Sequence, residues 1–277
     1  MMIGKKTWRR VATVALSLFV LLLCAPVQEV LAAAAAPAVE GNGKEEDKQG
    51  KRRSSEGEKI LSQVDRKLTP ESGELFVQVS TPLPNGRTQQ ISLYVVKGKG
   101  KKTAALVLSP EHLLGRAILR LEDDLWMHVP GELELRSAFL NQSLLGGNLL
   151  NNADLLLTDF AVDYKATLLE ENETSYLLEL LPRNSRLPYA RQLMRVDRKL
   201  LLPQTLTQYG TNGAVMKTIT FDQLSDSFGF LRPGAMRAST GKGGGQAVWQ
   251  LGSIKSRTFP ADAFSKEFLP RIGTLFK

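Results

Sequence analysis

Glu122-Asp123-Asp124, with His128 shortly beyond, is where residue types and spacing in this chain come nearest to a chemical site. Adjacent carboxylates can share a proton as an acid pair or offer oxygen ligands to a hard cation. A nearby imidazole can serve as a general base. Neither reading gathers support. Three consecutive acids between two apolar runs mark a turn that faces water, and no second ligand cluster accompanies them. His128 shares a strand face with Trp126 and has no acidic or nucleophilic partner in the pattern. The stretch "TGKGGGQ", Thr240 to Gln246, imitates a phosphate loop but lacks the Gly-Lys-Ser/Thr ending, the spacing and a following helix. A G-x-S-x-G elbow for a nucleophilic serine is missing. With two histidines and one cysteine in the chain, a zinc site is also disfavoured. These residues predict a protein that is not an enzyme and needs no metal or cofactor.

The elements around them are more informative. In "GRAILRLEDDLWMHVP", Leu119, Leu121, Leu125, Met127 and Val129 read as one side of two alternating runs, with Arg120, Trp126 and His128 on the other. That is the pattern of an antiparallel hairpin with one apolar face. Such a face covers either a closed core or a cavity. The next stretch, "RSAFLNQSLLGGNLLNNADLLLTDF", carries Phe139, Leu144, Leu145, Leu149 and Leu155 without clean alternation. Gly146 and Gly147 offer a joint, and Asn151 or Asn152 can cap a short helix running through Leu157. So many leucines cannot stand in water. They predict a movable lid over the sheet, hinged at Gly146 and Gly147.

The N-terminus predicts export. Lys5, Lys6, Arg9 and Arg10 precede an apolar run from Val11 to Leu23, and small residues follow at Ala32 to Ala36. This is the layout of a secretory signal peptide over residues 1–32, with the mature chain beginning near Ala33. Leu23 stands where lipidation of Cys24 would need a small residue, so the mature chain is expected to carry no thiol and no disulfide. The signal's four basic residues and Glu29 leave about +5 of the formal +8 charge to the remainder. That mixed-sign charge, much of it in "KEEDKQGKRR", reads as solvated surface rather than a nucleic-acid footprint.

Residues 33–57 are polar and charged and predict a flexible linker. From residue 58 to residue 277 the composition is globular and reads as one domain. Ile60, Leu61, Val64 and Leu68 recur at helical spacing until Pro70. After that come short strands, with turn signals at Pro84-Asn85-Gly86, Asp197-Arg198 and Asn212-Gly213. The fold class is mainly β with a few helices: a strongly curved antiparallel sheet, or incomplete β-barrel, under a short helical lid.

The order "ISLYVVKGKGKKTAALVLSP", "GRAILRLEDDLWMHVP", "LLGGNLLNNADLLLTDFAVDY", "VDRKLLLPQTLTQY" resembles the outer-membrane lipoprotein-sorting proteins of the LolA-like class, over about Glu58 to Ile272. More narrowly it resembles their exported paralogues of uncertain cargo. The resemblance rests on the Leu-Trp-x-x-x-Pro segment at Leu125 to Pro130, on Gly146-Gly147 with Asn152 to Asp154, and on Leu201 to Pro203. Trp126-x-His128 stands where that branch has Trp-x-Tyr. The resemblance implies an incomplete barrel whose helices cover an apolar cavity that shelters acyl chains in the periplasm. The expected function is a carrier of lipoproteins or lipids, with an inner-membrane transporter or an outer-membrane acceptor as further partner and the chain itself a monomer. The residues expected to line the cavity are Leu119, Leu121, Trp126, Met127, Phe139, Leu144, Leu145, Leu149 and Leu155. The alternative is an accessory protein binding a resistance-nodulation-division-type transporter or an envelope stress sensor.

Overall fold

The computed structural model describes residues 42–83, 85–143, 149–227, 230–241 and 245–276. The first helix, α1 (Asn42–Leu68), contradicts the flexible linker over its later half: residues 42–57 are already helical. Good helix formers dominate the stretch, and Lys51 pairs with Asp47 one turn away. Gly57, which composition counts as a breaker, is where helix backbone meets strand. A Cβ there would stand 2.8 Å from the Leu168 nitrogen.

Among the described residues, thirteen strands follow in one antiparallel sheet. They are β1 (Gly73–Pro82), β2 (Thr88–Lys97), β3 (Lys102–Ser109), β4 (Ala117–Leu121), β5 (Asp124–His128), β6 (Arg136–Ala138), β7 (Tyr164–Glu171), β8 (Ser175–Pro182), β9 (Arg191–Asp197), β10 (Pro203–Tyr209), β11 (Val215–Ser227), β12 (Phe230–Ser239) and β13 (Gln246–Ser256). The spatial order is β6-β5-β4-β3-β2-β1-β13-β12-β11-β10-β9-β8-β7. Two meanders are therefore joined by β1 pairing with β13, and β6 and β7 are left as the edges. The sheet is curved and unclosed. The chain between its two edges carries α2 (Asn152–Leu156) and α3 (Phe160–Asp163).

The expected hairpins form, and the turn residues explain them. Gly86 and Gly213 adopt positive φ, and the Asp197 side chain accepts from the amides of Lys199 and Leu200. Strand β12 is not among the elements expected from the sequence, and it contains Pro233-Gly234, a pair that usually marks turns. In the sheet Gly234 instead permits a close approach: a Cβ there would meet the Gln223 carbonyl oxygen at 2.7 Å.

The β4–β5 hairpin corrects the sequence-level assignment of faces. Glu122 takes a positive φ in a two-residue turn, and Leu121 pairs with Asp124. Leu119 thus faces Trp126, Ile118 faces Met127, and Arg120 faces Leu125. Residues opposite each other share a sheet face, so odd positions in β4 go with even positions in β5. The apparent apolar side is really two half-faces.

One sheet face gathers buried side chains from every strand, together with Ile60, Leu61 and Val64 of α1 and Leu155 and Leu156 of α2. A face on which both ends of so long a sheet share one core is the concave one. The other face carries a smaller cluster around Tyr94, Val96, Ala104, Ala117 and Leu119, covered by 3₁₀ turns at Ala261–Phe264 and Leu269–Leu275. Arg257 pins that cover by donating to Glu74 and to the Leu275 carbonyl.

Leu119 is fully buried and Phe139 is 62% exposed, although both read as cavity residues. Leu119→Ala is expected to cost about 2–5 kcal/mol by leaving a void, and Phe139→Ala to stay within about 0.5 kcal/mol. Urea melts compare them; similar losses for the two variants would contradict this burial pattern.

Candidate functional site

The connection between the sheet edges begins at an apolar segment and reaches α2 through Asn151. The Asn151 side chain accepts from the Asp154 amide at 3.1 Å, while the Asp154 carboxylate accepts from the Asn151 amide at 2.8 Å. That reciprocal cap starts the helix where the sequence predicts it. Leu157 ends it with a left-handed backbone. Two residues further on, Asp159 precedes α3, and the amides of Phe160 and Ala161 donate to the Asp65 carboxylate of α1 at 2.9 and 2.8 Å. The segment 149–163 is thus a cover docked on α1.

Three aspartates fasten this cover to the concave face. Asp154 pairs with Lys217 of β11, Asp159 with Lys97 of β2, and Asp163 with Arg120 of β4. The Asp163 pair is bidentate, with both N–O distances 2.6 Å. All three cations sit at inward-facing strand positions and are buried. Each has further acceptors: Lys217 donates to the Leu149 carbonyl, Lys97 to Thr69, and Arg120 to Thr158 and the Glu122 carbonyl. Burial depresses the Lys217 ammonium against the opposing pull of Asp154. Burial, then Asp154, raises the Tyr189 phenol, which donates to Asp154 at 2.9 Å. Asp65 is pushed up to about 7, first by burial and then by Asp159, against the amides that it caps.

Between cover and sheet lies a cavity of about 110 Å³. Ala153, Leu157 and Phe160 roof it; Leu206, Ile219, Phe221, Met236, Trp249 and Leu251 form the sheet wall; and Leu68 and Leu75 close one side. Four carboxylates reach the lining, from Asp65, Asp154, Asp159 and Asp163. Three buried polar atoms of this lining lack a hydrogen-bond partner: Gln192 Nε2, Gln208 Oε1 and Trp249 Nε1.

The family model described as "-like: Uncharacterized protein" matches residues 99–271, more than half of the chain. The chain belongs to that family. No curated protein matches the sequence. Among solved structures, a LolA superfamily protein from Nitrosomonas europaea is similar at 24% identity and a TM-score of 0.70, over 76% of this chain and 98% of that one. A DUF1329 family protein from Desulfovibrio piger follows at 20% identity and TM-score 0.66, covering 78% and 99%. A domain assigned to outer-membrane lipoprotein sorting, from Vibrio parahaemolyticus, is similar at 18% identity and TM-score 0.65, covering 79% and 100%. The fold is LolA-like.

Within this LolA-like fold, none of the expected cavity residues that lie among the described residues belongs to its wall. Leu119 and Trp126 lie on the opposite face, where Lys266 stands 3.3 Å above the Trp126 ring. His128, opposite Ala117, shares that face. Leu121 is half-buried at the end of β4. Met127, Leu149 and Leu155 pack in the concave-face core, and Phe139 is exposed. Leu144, Leu145, Gly146 and Gly147 lie outside the described residues. The signal that finds the site is acidic, not apolar: Asp154, Asp159 and Asp163 interrupt a leucine-rich run, and Lys97, Arg120 and Lys217 interrupt apolar strand faces.

Asp163→Leu strands the Arg120 charge in the interior and is expected to cost about 3–5 kcal/mol, whereas Arg120→Met with Asp163→Leu recovers most of it. Urea midpoints of the single and double variants check this; equal losses would contradict a paired charge. For Asp65 the folded chain holds its proton more tightly than the unfolded chain does, about 7 against 3.8. The stability from this group is therefore complete below about pH 4 and is lost as pH rises to 7. Relative to Asp65→Asn, the wild type should lose stability steadily across that window in pH-stepped urea melts. A pH-independent difference would contradict the buried acid.

Proposed function

We propose that the protein is a non-catalytic carrier that shelters the acyl chains of a lipid or lipoprotein in the cell envelope. The observation that carries this reading is the apolar cavity on the concave face, closed by a cover that three buried ion pairs fasten beside its packed leucines. A cavity of about 110 Å³ is well below the roughly 300–1,000 Å³ of drug-sized ligand sites, so the structure corresponds to a closed cover. An acyl chain leaving a membrane costs about 0.8 kcal/mol per methylene exposed to water. The sheet wall from Leu206 to Leu251 offers apolar surface against that cost once the cover lifts.

Opening is compatible with the chemistry of the fastenings. Separating a buried ion pair costs little net free energy when both charges become hydrated, because hydration returns what burial removed. The ion pairs thus specify the closed state while adding little to its depth, and a receptor or a ligand that favours the open state can shift the population. The comparison with a domain assigned to outer-membrane lipoprotein sorting supports the same reading. We assign the protein to the periplasm after removal of residues 1–32. Its cargo would arrive from an inner-membrane transporter and leave to an outer-membrane acceptor. No helix among the described residues is long and apolar enough to cross a membrane.

Native mass spectrometry of protein purified from its own envelope tests this reading. The expected result is a fraction carrying the mass of a lipid or acylated polypeptide, reduced in Trp249→Asp, which places a charge in the cavity wall. Protein that carries no lipid, even after incubation with vesicles, would overturn the proposal.

A further inference from the structure

The concave face presents an unusual pair of buried amides. Gln192 and Gln208 are opposite each other on β9 and β10, with side chains 1% and 3% exposed. Gln208 Nε2 donates to Gln192 Oε1 at 2.9 Å. That single bond leaves Gln192 Nε2 and Gln208 Oε1 without partners, and both side chains line the cavity. Turning both carboxamides over gives the mirror arrangement, which again leaves one free donor and one free acceptor. A buried donor or acceptor left unmade costs about 1–3 kcal/mol. Two such atoms at one cavity are expensive for a surface that only has to bind methylenes.

The neighbouring charges are already satisfied. Gln208 lies opposite Lys217, whose ammonium is held by Asp154, and Asp154 also accepts from Tyr189. A ligand's ionic head would have to be buried beside this completed set, at a heavy desolvation cost. What the glutamine pair asks for is neutral, and it offers one acceptor for Gln192 and one donor for Gln208. A secondary amide carries both an acceptor and a donor. An ester supplies only acceptors and leaves Gln208 Oε1 unpaired.

We propose that the Gln192–Gln208 pair is an amide-recognition subsite, and that the preferred ligand is an amide-linked acyl chain. This rests on the carrier reading and adds to it which linkage the cavity selects. The chain can belong to an amide lipid or to an N-acylated polypeptide terminus; the chemistry at the glutamines is the same.

The test offers the full mature chain an equimolar mixture of N-propylhexadecanamide and propyl hexadecanoate in phosphatidylcholine vesicles, followed by extraction and quantification of what the protein holds. The two probes differ by one N–H against one oxygen. Wild type is expected to retain the amide over the ester by about tenfold, the equivalent of one well-made buried hydrogen bond. Gln192→Leu with Gln208→Leu should bring that ratio near one, with circular dichroism reporting an intact sheet. Equal retention of both probes by wild type overturns the subsite and leaves the carrier reading standing. So does a tenfold preference that persists in the double variant. Retention of neither probe overturns both. A second arm compares an N-hexadecanoyl dipeptide with an N-hexadecanoyl sphingoid base: preference for the first points to acylated protein, preference for the second to an amide lipid, and either keeps the amide class.

Discussion

Three carboxylates buried against three cations set the arrangement of the concave face. Asp154, Asp159 and Asp163 belong to one short segment, while Lys217, Lys97 and Arg120 belong to strands in both halves of the sheet. A charge taken out of water must find its counter-charge, or the segment cannot close at all. The pairs therefore act as a register. Shifting the cover by a single residue would unpair all three at once, whereas sliding one leucine past another would cost far less. The cavity and the docking of α3 on Asp65 both depend on that register.

The two faces of the sheet are closed by different physics. On the convex face, aromatic packing of Phe76, Tyr94 and Phe276 and the Arg257 contacts hold the C-terminal turns in place. Little polar surface is stranded there, and nothing in that cover needs to move. On the concave face, the packed leucines of the cover are joined by ion pairs whose strength falls as water enters, beside a void and two glutamines that each keep one unpartnered atom. A sheet that packs one face permanently and latches the other has the mechanical division that a carrier needs.

The strands were readable because alternation and turn chemistry act locally. Asn85-Gly86 and Asn212-Gly213 need no tertiary context to reverse a chain, and the cap at Asn151 announces α2. Residues 42–57 misled because charge suggests disorder, yet glutamate, lysine and arginine also favour helix, and Gly57 marks a close approach rather than a break. The hairpin at Gly115–Ser137 shows a deeper limit. Which residues of β4 and β5 share a face is decided by the length of the turn, and counting apolar positions within each strand cannot supply it. The cavity wall was not legible for a related reason. Leucines advertise burial but not where, and Leu119, Leu149 and Leu155 pack in cores. The residues that define the site are charges in apolar surroundings, and their pairing joins positions far apart in sequence, such as Arg120 and Asp163.

Hydrogen exchange at Phe160 and Ala161, before and after loading with a hexadecanoyl ligand, tests the latch most directly. Both amides donate to Asp65 only while the cover is docked. If the chain enters by lifting a cover fastened through Asp154, Asp159 and Asp163, exchange at these two amides accelerates on loading, while the amides of β9 and β10 stay protected. Ligand bound with exchange at Phe160 and Ala161 unchanged would contradict it, since the cavity would then fill beneath a cover that does not move.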